Sequence, residues 1–356
     1  MLAGVLASLR LMDFRCFEAL ALAVPEAGVL LVGGNAQGKT SLLEAVCVLV
    51  RLHSPRARRL ATLVRHGAPG FGVAGEAWGV ERQVRHATGA TVGIAGGETR
   101  RGPGDYLADG GLVVWIGNDD LELVRGPGEA RRHYLDFVGS QLWPDYRVAL
   151  ARYRRALKAR NLLLRDPRSG DAEIDAYDAL LAGHGAALRR RREELVAELA
   201  PLAAAAQHQV GGAEELALRY HPSGGRDLAE ALAEARARDR RHGQTATGPH
   251  RDDLRLEVDG RRAADFASEG QHRTLALALK LAQGAILERR RGLLPVYLID
   301  DVFGELDPGR RNALMAHLPA HAQLWITTTH LGWLDAASPA RRLQQLRVGG
   351  GRVGGM

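Results

Sequence analysis

Eight consecutive residues carry the strongest chemical signal in the chain: Gly33, Gly34, Asn35, Ala36, Gln37, Gly38, Lys39 and Thr40, with Ser41 directly after. They match the spacing Gly-x4-Gly-Lys-Ser/Thr. Glycines let a loop wrap a phosphate with its backbone N–H groups, and a helix starting at the same point aims its positive dipole end at that anion. Lys39 at this spacing reaches the β- and γ-phosphates as a compact cation, and the Thr40 hydroxyl offers a hard oxygen to Mg²⁺. The competing reading is a glycine-rich turn beside an ordinary surface lysine.

A phosphate loop of this kind needs an acid at the end of a neighbouring strand. Leu294 to Asp301 (LPVYLIDD) supplies two, at the carboxyl edge where open α/β sheets bind ligands. Asp300 is expected on the metal side, through Thr40 or a water, and Asp301 is placed to orient or deprotonate an attacking water. Alternatively, the two acids only cap the next helix. Between the loop and these acids lie Ser268, Gly270 and Gln271, ahead of a long apolar helix, where a Ser and a Gly ordinarily serve as an N-cap. His330 ends the apolar run LWITTTH and is either catalytic or a capping or core histidine.

These residues must be held by strands and helices of recognisable texture. LRLMDFR and EALALAV nearly alternate apolar and polar positions, as half-buried strands do, and GVLLV is a continuous apolar run of the doubly buried kind. A helix is expected over SLLEAVCVLVRL, short antiparallel strands and turns over residues 70–102, and a buried strand at GLVVWIG. Residues 131–241 are rich in Ala, Leu, Arg and Glu and read as several helices, with breaks at 166–170, 211–212 and 222–225. Strand texture returns with DLRLEVDG, then a helix, LLPVYLIDD, a helix and LWITTTH. The expected fold is α/β, with a mixed sheet and an antiparallel β part, divided into a head of residues 1–122 and 243–356 and a helical arm of residues 123–242.

The chain has 356 residues, 46% hydrophobic and 25% charged, which excludes a disordered or fibrous protein. No apolar run reaches the length of a membrane helix, and the first ten residues lack the basic and cleavage features of a signal peptide. Cys16 and Cys47 are far apart and fit a reducing cytosol rather than a disulfide framework or cysteine zinc site. The net charge of +7 points to a polyanionic partner, with almost all basic charge on arginine. On the segment Tyr146 to Arg165, which contains no acid, Arg147, Arg154, Lys158 and Arg165 fall close to one line at ~100° per residue. Such a ridge would track DNA phosphates without reading bases, unless it is simply a solvated face. A second acid-free stretch, residues 51–65 with Arg56, Arg58 and Arg59, could couple DNA to the nucleotide. The run Arg189 to Arg192 is expected to pair with Glu193 and Glu194 on the same helix.

The set Phe266 to Thr274 resembles the signature loop of the ABC ATPase class, with Ser268, Gly270 and Gln271 in matching places and Glu269 where that class has a glycine. Gly304-Glu305-Leu306-Asp307 is similar to its D-loop, and Ile326 to His330 to the strand ending in its switch histidine. The resemblance implies an ABC-type ATPase head that binds ATP and Mg²⁺. It also implies a head-to-tail homodimer, in which Ser268 of one copy meets the γ-phosphate held by Lys39 of the other. The intermediate length of the helical stretch resembles the RecF family of recombinational-repair proteins, as do LRLMDFRCFEAL, GGNAQGKTSLLEA, NDDLELVRGPGEARRHYLD, ARYRRALKARNLLLR and TGPHRDDL. That family implies duplex and gapped DNA as ligand, RecR as partner, and a functional link to RecA and single-strand-binding protein in the cytoplasm, without a membrane partner. Two features depart from the class. Asp301 stands where most members have Glu, which suggests a weak ATPase, and the glutamine of the usual Q-loop has only Asn118 as a candidate. The alternatives are the ATP-binding subunit of a transporter and a DNA clamp whose hydrolysis is incidental.

Overall fold

The computed structural model describes residues 6–100, 102–334 and 338–356; Met1 to Val5, part of the segment read for a signal peptide, lie outside the described residues. The chain forms two compact units. One comprises residues 1–120, 209–211 and 283–356, the other residues 121–208 and 212–282. The second compact unit therefore ends at residue 282, and residues 243–282, expected with the head, group with the helices. The strand Asp253–Val258 in that stretch finds its partners at Leu216–His221 and Arg261–Arg262, all within the helical unit.

The first unit opens with β1 (Ser8–Phe14) and β2 (Phe17–Ala23), a hairpin in which Phe14 faces Phe17 across Arg15 and Cys16. Then follow β3 (Gly28–Val32), buried throughout, and α1 (Lys39–Arg51), whose apolar residues are fully covered. The strands β4 (Gly70–Ala77), β5 (Val80–Ala87), β6 (Ala90–Ala95) and β7 (Glu98–Arg100) continue the hairpin into an antiparallel sheet of order β2-β1-β4-β5-β6-β7. The short helix α2 (Pro103–Ala108) and the buried strand β8 (Val113–Gly117) complete this portion.

The second unit contains α3 (Gly128–Leu142), α4 (Pro144–Leu163), α5 (Asp171–Gln209), β9 (Leu216–His221), α6 (Leu228–His242), β10 (Asp253–Val258), β11 (Arg261–Arg262), α7 (Ala263–Phe266) and the start of α8 (Glu269–Arg291). Between the expected breaks at 166–170 and 211–212, residues 171–209 form a single 39-residue helix that runs through Pro201. One feature differs from the sequence reading: β9 is a strand inside the stretch read as helical, and its alternation of buried Leu216 and Leu218 with more exposed neighbours is the period of two that pairs it antiparallel with β10.

Buried ion pairs tie these helices together. Arg192, 2% exposed, donates to Asp136 Oδ1 at 2.8 Å and to Tyr146 Oη at 2.9 Å. Arg189 donates to both oxygens of the fully buried Asp252, at 3.2 and 3.0 Å. Arg160 joins Asp239 at 2.7 Å with neither side chain exposed. The pairing expected of the arginine run on α5 with Glu193 and Glu194 is met, among the described residues, only by Arg191, which joins Glu194 and also Asp145; Arg189 and Arg192 point into the unit and find acids far away in sequence.

The chain returns to the first unit with β12 (Val296–Asp300), α9 (Pro308–His317), β13 (Leu324–Thr328), β14 (Gln344–Gly349) and β15 (Arg352–Gly355). The second sheet of this unit runs β15-β14-β3-β13-β12-β8, parallel from β14 to β8 and antiparallel only at β15. Parallel strands buried on both faces read as continuous apolar runs, which is what β3, β12 and β13 show. Their carboxyl ends carry the phosphate loop, the two acids and the segment leading to His330.

Candidate nucleotide site

The loop 33–38 leaves β3 and enters α1 through Gly38, whose φ of 105° is left-handed and suits glycine. A Cβ there would also fall 2.7 Å from Cys16 Sγ, and one at Gly33 would fall 2.2 Å from the Val348 carbonyl oxygen. Gly38 is therefore required by space as well as by dihedral angle and Gly33 by space alone, and the result is a bare backbone cradle. Gln37 closes it from the side, accepting from Gly350 N–H at 2.8 Å. The cradle opens into a cavity of about 610 Å³, lined among others by Arg15, Cys16, Lys39, Thr40, Arg56 and Asp301.

Lys39 is 6% exposed and donates to the carbonyls of Gly33 and Gly34, at 2.7 and 2.8 Å, so its ammonium lies over the loop. Burial lowers its pKa, and Asp301 and Asp300 oppose that shift. Thr40 donates to Asp300 Oδ1 at 2.8 Å, and Thr327 donates to the same oxygen at 2.8 Å. Both hydroxyls converge on one carboxylate oxygen, leaving Oδ2 without a protein donor among the described residues and the Thr40 lone pairs open to a cation. This hard-oxygen pair suits Mg²⁺, which binds through a few protein oxygens plus phosphate and water. Among the described residues no group of three or more His, Cys, Asp or Glu could hold a metal unaided. Burial raises the Asp300 pKa, against the two threonine hydroxyls and Arg56, with Asp301 adding to the rise.

Asp301 follows in a left-handed conformation, φ 52°, with its N–H donated to Thr327 Oγ1 at 2.9 Å, and its side chain lines the cavity. His330 is exposed. Its Nδ1 accepts from Gly332 N–H at 3.2 Å, which leaves Nε2 to carry the proton in the neutral ring and to donate outward. Asn118 donates to Glu305 Oε1 at 2.8 Å, joining the end of β8 to the segment after the two acids.

Sequence reasoning missed the support behind this cavity. Glu44, one turn beyond Thr40 on α1, is fully buried and accepts two hydrogen bonds from Arg15, at 2.9 and 3.0 Å, and one from Ser54 at 2.7 Å. Ser54 in turn accepts from the N–H groups of Arg56 and Ala57 at 3.2 and 2.9 Å. One carboxylate thereby fixes Arg15 and the loop that brings Arg56 to the cavity. The position of Glu44 four residues after Thr40 was the available signal; its partners were not. Arg56, read as a DNA contact, lies in the wall of the nucleotide cavity.

In the second unit Ser268 is exposed at the start of α8. Its N–H donates to Gln271 Oε1 at 2.7 Å, while its hydroxyl accepts from Gln271 N–H at 3.3 Å, a reciprocal capping box. Gln271 Nε2 is held by Glu214 at 2.6 Å, so this glutamine orients the turn. Of the ridge on α4, Arg154 pairs with Asp136 at 2.9 Å, Arg147 donates to the Ser140 carbonyl at 2.9 Å, and Arg165 Nε donates to the Gly243 carbonyl at 3.0 Å. Lys158 is exposed and unpaired among the described residues, as are Arg152 and Arg155 on the same helix.

No family model matches the chain. It is 40% identical over 352 residues, 94% of each chain, to the DNA replication and repair protein RecF of Anaeromyxobacter sp. strain Fw109-5. It is 40% identical over 353 residues, 92% of each chain, to that of Synechococcus sp. strain JA-3-3Ab. The solved structure of the recombination mediator RecF with ATP, of the RecFOR pathway, superposes with a TM-score of 0.89 at 26% identity, covering 99% of this chain and 97% of that one. An SMC head bound to the winged-helix domain of ScpA shares the fold, with a TM-score of 0.56 at 14% identity over 99% of this chain and 98% of that one. The expected ABC-type ATPase head is thus the fold observed. With full-length relatives at this identity, the chain belongs to the RecF family of DNA replication and repair proteins.

Proposed function

We propose that this chain is an ATP-dependent DNA-binding protein of recombinational repair and replication restart. In this reading its head binds ATP with Mg²⁺ and closes head-to-tail on a second copy around duplex or gapped DNA. The observation that carries it is the hydrogen bond from Thr40 to Asp300 beneath the glycine cradle, which sets a cation-binding oxygen pair beside Lys39. Solved RecF relatives with ATP and with ATPγS support the choice of nucleotide.

ATP supplies the scissile anhydride, and Mg²⁺ would be held by Thr40 Oγ1 and, directly or through water, by Asp300. The loop N–H groups and the α1 dipole grip the phosphates. Lys39 leaves the Gly33 and Gly34 carbonyls to neutralise the terminal phosphate. Asp301 orients water, but its side chain is one methylene shorter than the Glu common in the class, so turnover is slow. His330 presents Nε2–H as a donor. Ser268, already exposed at the α8 terminus, offers a hydroxyl and a helix dipole that are too weak to hold an anion alone. They are sufficient when the phosphate is gripped by a second copy, so ATP acts as the adhesive between copies. Lys158, Arg147 and Arg165 are the proposed DNA contacts of the ridge, Lys158 without a protein partner among the described residues and the two arginines bonded to carbonyls, while the Asp136 carboxylate reduces what Arg154 can give. RecR as partner, help in loading RecA on DNA covered by single-strand-binding protein, and a cytoplasmic location rest on family membership. Among the described residues no helix is long and apolar enough to cross a membrane.

The test is a gel shift with duplex and gapped DNA, with and without ATP, at two salt concentrations. Binding that requires ATP and weakens with salt is expected; retention indifferent to ATP contradicts the proposal.

A further inference from the structure

The arginines of α6 divide into two classes that the sequence does not distinguish. Arg236 pairs with Asp178 and Asp175, and Arg240 with Asp171, so these two bind the helix to α5. Arg238 lies on the other side of the helix, is exposed, and makes no ion pair or side-chain hydrogen bond among the described residues. It lines an open cavity of about 320 Å³ together with Arg251, His242, Gln244 and Thr245. Arg251 is likewise exposed and without an acidic partner. A second hollow of about 600 Å³, shared through Arg238 and Ala246, extends this cavity along the helix into one groove.

The acids nearby do not neutralise the near end. Asp239 lines the cavity, but its carboxylate is fully buried, held by Arg160 at 2.7 Å and by Ala246 N–H at 3.0 Å. Glu234 lines only the farther hollow. The negative end of the α6 dipole is also covered. Gly243 N–H and Gln244 N–H cap the Arg240 and Asp239 carbonyls, and His242 Nδ1 lies 2.8 Å from that of Arg238. Arg165, the last residue of the α4 ridge, packs against Gly243 and brings a third guanidinium to the same end. Burial lowers the pKa of Arg132 and of His250; the Arg251 charge adds to that in both, and Asp253 and Asp252 respectively oppose it.

We propose that this groove, with Arg238, Arg251 and Arg165 at its mouth, binds the phosphodiester backbone of a nucleic acid. The assignment rests on the DNA-binding reading above and locates it on the α6 face. Guanidiniums without acidic partners on a concave surface supply charge and bidentate donors to phosphate oxygens, and no base edge need be read. A cation already tied to a carboxylate, as Arg154 of the ridge is, releases fewer counterions than one without an acidic partner.

The experiment uses the full chain with ATP and Mg²⁺ and a fluorescein-labelled DNA duplex, with anisotropy followed across a salt series. Arg238→Ala/Arg251→Ala is expected to weaken binding about ten-fold or more and to flatten the salt slope by about two units. Arg238→Lys/Arg251→Lys restores most of that slope. Arg236→Ala/Arg240→Ala lowers thermal stability and leaves the slope unchanged. Wild-type protein that binds while the first double variant matches it in affinity and slope overturns the groove alone. Wild-type protein that fails to bind DNA at any salt overturns the DNA reading and the groove together. Binding of phosphatidylserine vesicles in place of DNA, lost in the same variant, overturns the choice of nucleic acid.

Discussion

Glu44 offers the sharpest perturbation of the nucleotide cavity from a residue that does not line it. Substitution by Ala removes two hydrogen bonds from Arg15 and one from Ser54 at a carboxylate with no exposure. Breaking a buried pair by deleting one partner costs about 3–5 kcal/mol. Arg15 keeps 30% of its side chain exposed and can turn to water, so about 2 kcal/mol is the better figure for that pair. The lost Ser54 bond adds about 1 kcal/mol. A total of about 3 kcal/mol corresponds to a fall in Tm of roughly 6–12 °C for a unit of this size. Because Arg15 and the Arg56 loop lose their anchor together, ATP affinity should fall by about ten-fold, or about 1.4 kcal/mol. Glu44→Gln, which keeps volume and one acceptor, should show about half of each effect. Thermal melts with and without nucleotide, and titration with a fluorescent ATP analogue, measure both quantities. A melt within 1 °C of wild type refutes the buried anchor. A lowered melt with unchanged affinity refutes its positioning role.

Three further outcomes follow from particular residues. Asp300→Asn should raise the nucleotide-free Tm at neutral pH while abolishing stabilisation by Mg²⁺-ATP, because burial holds the Asp300 pKa above its ordinary value. The stability that group lends is complete below the ordinary carboxylate pKa and is lost as pH rises through the raised one; a lower Tm for the variant contradicts this. Asp136 is opposite in sign. Burial raises its pKa, but Arg192 and Arg154 outweigh that and hold it below the ordinary value. Its contribution is present above the ordinary carboxylate pKa and disappears as pH falls through the depressed one, and acid unfolding followed by circular dichroism should move to higher pH in Asp136→Asn. Ser268→Ala should cost about 1 kcal/mol through loss of the cap, and more ATP response than that stability loss explains. Equal nucleotide responses in variant and wild type would confine Ser268 to capping.

What the sequence disclosed was local. The phosphate loop, the doubly buried strand before it and the acids after β12 are each written within a few residues, since backbone requirements and apolar runs are local properties. The N-cap at Ser268 was also legible, as a Ser just ahead of a long apolar helix. Strand β9 carried its period-two alternation, but flanking residues rich in Ala, Leu and Arg gave the segment a helical texture. What could not be read is which charge meets which. Glu44 finds Arg15 and Ser54, Arg189 finds Asp252, and Arg192 finds Asp136 only through tertiary packing. An arginine-rich chain multiplies that ambiguity, because a paired and an unpaired guanidinium are identical in sequence. The ridge on α4 followed correct helical geometry, yet it could not show that Asp136 waits beneath Arg154.

The central claim is that two copies share each nucleotide, and sedimentation velocity tests it most directly. Wild-type protein should sediment as a dimer with ATP and Mg²⁺ and as a monomer with ADP. Lys39→Arg and Ser268→Arg should each stay monomeric with ATP, and an equimolar mixture of the two should regain part of the dimer through one intact composite site. A single unchanged species under all of these conditions would contradict the account.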